Sequence, residues 1–176
     1  MSQTFRQYNK ILRFGLIAVI ASLLCVSCGI YSFTGASISP DVKTISIDYF
    51  QNKSRMVNPT LSRVFTEALR DKFVNQSTLS LVNSDGDLTL EGEITDYNLE
   101  PVAVTSDQRA SMQRLRISVK VKFVNTKDEK QNFEQSFSRY ADFDSRLQLS
   151  QVENALIETI NEELTDDIFN RAVVNW

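Results

Sequence analysis

Cys25 and Cys28 stand three residues apart in the stretch LLCVSCGIYSF, and they are the only thiols in a chain of 176 residues that has no histidine. Two thiols at that spacing can exchange a disulfide, hold a metal, or offer one sulfur to a covalent modification. A redox pair needs a βαβ setting, and zinc needs two further ligands that a chain without His or a third Cys does not supply. The missing imidazole also removes Ser-His-Asp and Cys-His catalysis. A carboxylate pair of the glycosidase kind is the one enzymatic option left, yet nothing places two acids on a concave site. Five glycines, none at the spacing of a phosphate loop, complete the reading that this is not an enzyme.

The residues around the thiols decide among the remaining chemistries. Arg6, Lys10 and Arg13 are the only charges before an uncharged segment running from Phe14 to Ser27. Its apolar core falls short of the roughly 20 residues that a spanning helix needs, so the start of the chain reads as an export signal. A retained signal anchor, with the uncharged run stretched to Phe33, is the rival. Cleavage requires a small side chain before the cut; Ser27 meets that and Leu24 does not. Cys25-Val26-Ser27-Cys28 therefore resembles the lipobox of bacterial lipoproteins, with Cys25 where Leu is usual. Cys28 is expected to become the first residue of the mature chain and to carry diacylglycerol and an N-acyl group; no other cofactor or metal is expected. Two or three acyl chains hold a protein firmly to a membrane, at about 0.8 kcal/mol per buried methylene.

Loss of residues 1 to 27 leaves 149 residues and moves the formal charge from -3 to -6. That suits one domain with a single core and disfavours nucleic acid, whose phosphates would repel it. Gly29 and Ile30 stand where an Asp would favour inner-membrane retention, so an outer-membrane position facing the periplasm is expected.

The domain that follows must begin after a short tether, residues 28 to 42, and occupy residues 43 to 176. KTISIDYF alternates, with Ile45, Ile47 and Tyr49 on one side and Thr44, Ser46 and Asp48 on the other, which predicts a strand. NPTLSRVFTEALRDKF predicts a helix capped by Asn58, with Pro59 in its first position and a stripe of Leu61, Val64, Phe65, Ala68, Leu69 and Phe73. LSLV is a short strand and NSDGD a turn. In LTLEGEITDYNLEPVAV, Leu88, Leu90 and Ile94 point inward and Glu91 and Glu93 outward, while Gly92 permits a bulge or a close approach.

The return strand RLRISVKVKFV is the most regular piece: Leu115, Ile117, Val119, Val121 and Phe123 on one face, Arg114, Arg116, Ser118, Lys120 and Lys122 on the other. QNFEQSFSRYADF gives a further strand. Ser150 with Glu153 reads as a capping box opening a helix striped by Val152, Leu156, Ile160, Leu164 and Ile168, with Asp166 and Asp167 on its wet face. The expected fold is an α+β two-layer sandwich: two helices on one face of a mixed four- to five-stranded sheet, in the order β-α-β-β-β(-β)-α. The other face of the sheet stays polar.

The lipobox, the start GIYSFTGASISPDVKTISIDYFQN, the strand RLRISVKVKFVNT and the segment SFSRYADFDS leading to a helix that ends DIFNRAVVNW together resemble the LptE family of lipopolysaccharide-assembly lipoproteins. The likeness covers nearly all of the mature chain and rests on several segments in the right order. It implies a non-enzymatic role in the outer membrane, with the large β-barrel LptD as partner and lipopolysaccharide as cargo. The sequence adds a protruding ribbon, residues 95 to 113, whose Val102 and Val104 suit contact with a barrel wall. An accessory role in another envelope complex, such as the assembly of a secretion channel, would call for the same length, anchor and fold.

The basic ladder Arg114, Arg116, Lys120 and Lys122 has two readings. It can be a stripe of contacts to the phosphates and acidic sugars of lipopolysaccharide. It can equally form cross-strand ion pairs with Glu91, Glu93 and Glu134.

Overall fold

The structure is a computed structural model that describes residues 38–102 and 112–173. Cys28 and Val104 lie outside the described residues. The elements run β1 (Thr44–Ile47), β2 (Gln51–Asn52), α1 (Leu61–Gln76), β3 (Ser80–Val82), β4 (Leu88–Val102), β5 (Met112–Asn125), β6 (Phe133–Asp144) and α2 (Leu149–Val173), with one 3-10 turn at Glu129–Gln131.

Alternation on β4 and β5 sets the architecture. Leu88, Leu90 and Ile94 on β4 and Leu115, Ile117, Val119 and Val121 on β5 are fully buried, because period two sends them all to one face. The sheet order is β3-β1-β4-β5-β6, with β2 beside β4 past the end of β1. β1 lies parallel to β3 and β4, whereas β4, β5 and β6 form an antiparallel meander. Both helices contribute to the same core, so the α+β two-layer arrangement holds, on a mixed sheet one strand larger than expected. Edge-to-face ring pairs lock the core: Phe50 beside the sheet meets Phe65 of α1 at 5.2 Å, and Phe73 of α1 meets Phe169 of α2 at 5.1 Å within the helix layer.

The first strand departs from its expected pattern. KTISIDYF does not alternate throughout: Tyr49 is 52% exposed and Phe50 is fully buried. The chain slips by one residue between β1 and β2, and hydroxyls of α1 take over the backbone donors that the sheet gives up. Phe50 N donates to Thr66 Oγ1 and Asn52 N to Ser62 Oγ. Gly92 makes the slip possible. A Cβ there would lie 2.4 Å from the Phe50 ring and 2.2 Å from the Lys120 carbonyl, so the residue serves a close approach. The β-bulge falls instead at Thr95, between Ile94 and Asp96, and it turns Tyr97 inward.

Asn58 holds the entry to α1, its Oδ1 accepting from Thr60 N at 2.9 Å and Leu61 N at 3.0 Å, but the helix begins at Leu61 after Thr60, so Pro59 lies in the preceding turn and not in the first helical position. The NSDGD turn carries the chain across β1 to a parallel strand. Gly86 lies against the β1 backbone so closely that a Cβ would meet Ser46 N at 2.6 Å, and Asp85 next to it takes φ 55°.

Helix α2 corrects two expectations. The bond that would close its capping box joins Gln148 N to Gln151 Oε1, not Ser150 to Glu153. Glu153 instead accepts from the hydroxyl of buried Tyr97. Asp166 and Asp167 are half-buried and paired, Asp166 with Lys72 of α1 and Asp167 with Arg139 of β6. A single helix thus ties its neighbouring helix and the sheet edge by charge.

Candidate functional site

The face of the sheet turned away from the helices is where sequence placed the candidate site. Because β5 has no bulge, Arg114, Arg116, Lys120 and Lys122 all project from that face, as expected. Each meets a carboxylate of a neighbouring strand. Arg114 makes a two-pronged contact with Asp142, at 2.7 and 2.8 Å, directly across from it on β6. Arg116 reaches Glu100 on β4 at 3.1 and 3.3 Å. Lys120 pairs with Glu134 at 2.5 Å and Lys122 with Glu91 at 3.0 Å. Of the two readings of the ladder, the geometry fits cross-strand pairing, with Asp142 and Glu100 as partners that the sequence reading did not name.

Proton affinities follow from these pairs. The Arg114 guanidinium holds the Asp142 carboxyl below its ordinary value, Lys120 does the same for Glu134, and Arg116 for Glu100. Reciprocally, Asp142 and Glu134 raise Arg114 and Lys120. Along β4, β5 and β6 the face carries more acids than bases: Glu91, Glu93, Asp96, Glu100, Glu134, Asp142 and Asp144 against Arg114, Arg116, Lys120 and Lys122. Glu93 and Asp96 carry no ion pair among the described residues.

Tyr140 is the functional candidate that sequence reasoning missed. It lies opposite Arg116, with the Arg114 guanidinium 3.5 Å above its ring centroid, and is still 46% exposed. Cation–π stacking of that kind fixes a flat, amphipathic plate on an otherwise charged surface. Alternation in QNFEQSFSRYADF could have found it, since Phe137 and Phe143 face inward and Tyr140 therefore outward. Toward the ribbon end the face gains apolar side chains: Val102 lies across from Met112, both half-buried, with Asp144 on the far side of Met112. Among the described residues no group of acids, thiols or histidines could hold a metal ion, and no helix is long and apolar enough to cross a membrane.

Solved structures with a TM-score above 0.5 share this fold at low identity. A hypothetical protein from Chlamydia trachomatis is similar with a TM-score of 0.52 and 8% identity, over 76% of this chain and 99% of that one. A putative neuraminyllactose-binding hemagglutinin homolog from Helicobacter pylori is similar with a TM-score of 0.51 and 11% identity, over 80% and 88%. The rare lipoprotein B of Shewanella oneidensis is 16% identical over 73% of this chain and 92% of its own, with a TM-score of 0.45. Comparison with curated proteins found no match. The family model for lipopolysaccharide assembly, LptE, matches residues 42–172, which takes in every strand and all but the last residue of α2. The chain belongs to the LptE lipopolysaccharide-assembly family, a non-enzymatic one.

Proposed function

We propose that the protein is an outer-membrane lipoprotein, held by acyl chains on Cys28 and facing the periplasm, that partners an LptD-type β-barrel in delivering lipopolysaccharide to the outer leaflet. The observation that carries this reading is the family match across the whole folded domain. The open sheet face supports it. A surface ordered by ion pairs, with Tyr140 exposed in its middle and Val102 and Met112 at its ribbon end, suits a flat partner wall better than a small ligand. Val104, two residues beyond Val102, extends the proposed contact toward the ribbon tip.

Direct contact with lipopolysaccharide through Arg114, Arg116, Lys120 and Lys122 would need phosphate to displace a carboxylate from each cation, on a face with an acidic excess. We therefore assign the ladder to ordering the sheet and leave lipid contact to the complex with the barrel. Controlled depletion tests the function without assuming a site. Surface lipopolysaccharide and mature barrel should fall together; normal levels of both after depletion would overturn the reading, and a defect in a secretion channel alone would favour the other envelope role.

A further inference from the structure

Helix α2 carries a polar pair on its buried side. Asn161 and Thr165 follow Ile157 at intervals of four and, with it, face away from solvent. Thr165 is satisfied, its hydroxyl donating to the Glu162 carbonyl at 3.0 Å. Asn161 is not: it is 2% exposed, and both the Oδ1 and the Nδ2 of its carboxamide lack a hydrogen-bond partner. Leaving such a group unpaired costs about 1 to 3 kcal/mol, so its presence calls for an explanation beyond packing.

Its surroundings supply one. Asn161 lines a cleft of about 420 Å³ between α1 and α2, on the helix layer and thus on the opposite side of the molecule from the ion-paired sheet face. Asp71 of α1 and Glu158 and Glu162 of α2 border the same cleft, exposed and without ion pairs among the described residues. The one cation there, Lys72, is engaged by Asp166. The cleft thus offers three free carboxylates at its mouth and, buried in its wall, an unused amide acceptor and donor that a side chain parting the two helices would reach.

We propose that the cleft between α1 and α2 is a docking site for a basic segment of a protein partner, one Arg or Lys side chain entering between the helices. Its aliphatic stem lies along Val64 and Ala68, its head donates to Asn161 Oδ1, and its charge is met by Asp71, Glu158 and Glu162. Nδ2 is left to donate to a backbone carbonyl of the same segment. This second surface is independent of the barrel contact, so its failure leaves the family role intact.

The test uses the full chain in detergent, with hexa-arginine amide as probe; the Asn161 side-chain NH2 resonances report contact in the wild type, and the backbone amide resonances of Val64, Ala68, Asp71 and Thr165 beside the cleft report affinity in every variant. Saturable binding that shifts those resonances is expected. Asn161→Leu should weaken it by at least roughly tenfold while raising the melting temperature, because an unsatisfied amide is replaced by a methyl-bearing chain. The pair Glu158→Gln and Glu162→Gln should weaken it with melting unchanged, and Glu93→Gln on the sheet face should leave it alone. Unchanged affinity in Asn161→Leu, a lower melting temperature for that variant, or equal occupancy by magnesium ions alone would overturn the proposal.

Discussion

Single residues at close approaches carry more of this fold than their size suggests. Gly92 lets the Phe50 ring lie across β4, and Gly92→Ala forces a Cβ into both that ring and the Lys120 backbone. Since the backbone cannot yield as a flexible side chain would, the variant should lose about 2 kcal/mol or more, read as a lower midpoint in urea. Asp87 works by hydrogen bonds. Its Oδ2 accepts from Lys43 N, Thr44 N and Thr44 Oγ1, and Lys127 sits 3.0 Å from its other oxygen, so the starts of β1 and β4 and the end of β5 are joined through one carboxylate. The Lys43 amide, then Lys127, hold its pKa far below the ordinary carboxylate value. A depressed folded pKa gives stability that is present above the unfolded value near 4 and is lost as pH falls. Asp87→Asn should therefore melt lower at neutral pH and show a shallower loss on acidification, a thermal-melt series against pH being the check.

At the scale of elements, the contact between the ribbon base and α2 rests on Tyr97 and Glu153. Burial, then Glu153, pushes the Tyr97 phenol well above its usual value. The folded chain thus keeps a proton that the unfolded chain releases near pH 10, and stability falls as pH rises past that point. Tyr97→Phe should cost about 1 kcal/mol at neutral pH and flatten the alkaline decline, both readable by chemical denaturation. A similar loss, about 1 kcal/mol, is expected for Asn58→Ala at the start of α1.

These elements also show how far the sequence could be read. β5 was legible residue by residue, because strict alternation over Met112–Asn125 leaves one register that buries its aliphatic side chains. The second half of KTISIDYF was not: its slip depends on Thr66 and Ser62, which lie more than ten residues downstream. Glu153 fitted the capping spacing, but the Tyr97 hydroxyl across the molecule claimed it. Asn161 falls outside the stripe that the sequence draws on this helix, and only the folded packing shows that it is buried without a partner.

For the whole molecule, the proposed role rests on the outer sheet face and on the proposed acyl anchor at Cys28. Replacing Arg114, Arg116, Lys120 and Lys122 together by Gln removes the four cross-strand ion pairs described on that face, and solvent-screened pairs of this kind add little to stability. The variant should stay folded, bind lipopolysaccharide as the wild type does, and show a changed salt dependence of its melting. A large fall in lipopolysaccharide affinity would return the ladder to lipid contact. The most direct measurement of the central claim is to extract the lipidated chain from membranes in mild detergent and weigh the intact complex. An LptD-type barrel in one-to-one stoichiometry, with acyl mass on Cys28, is the expected result; a bare thiol with residues 1 to 27 retained, or a secretin in place of the barrel, would contradict it.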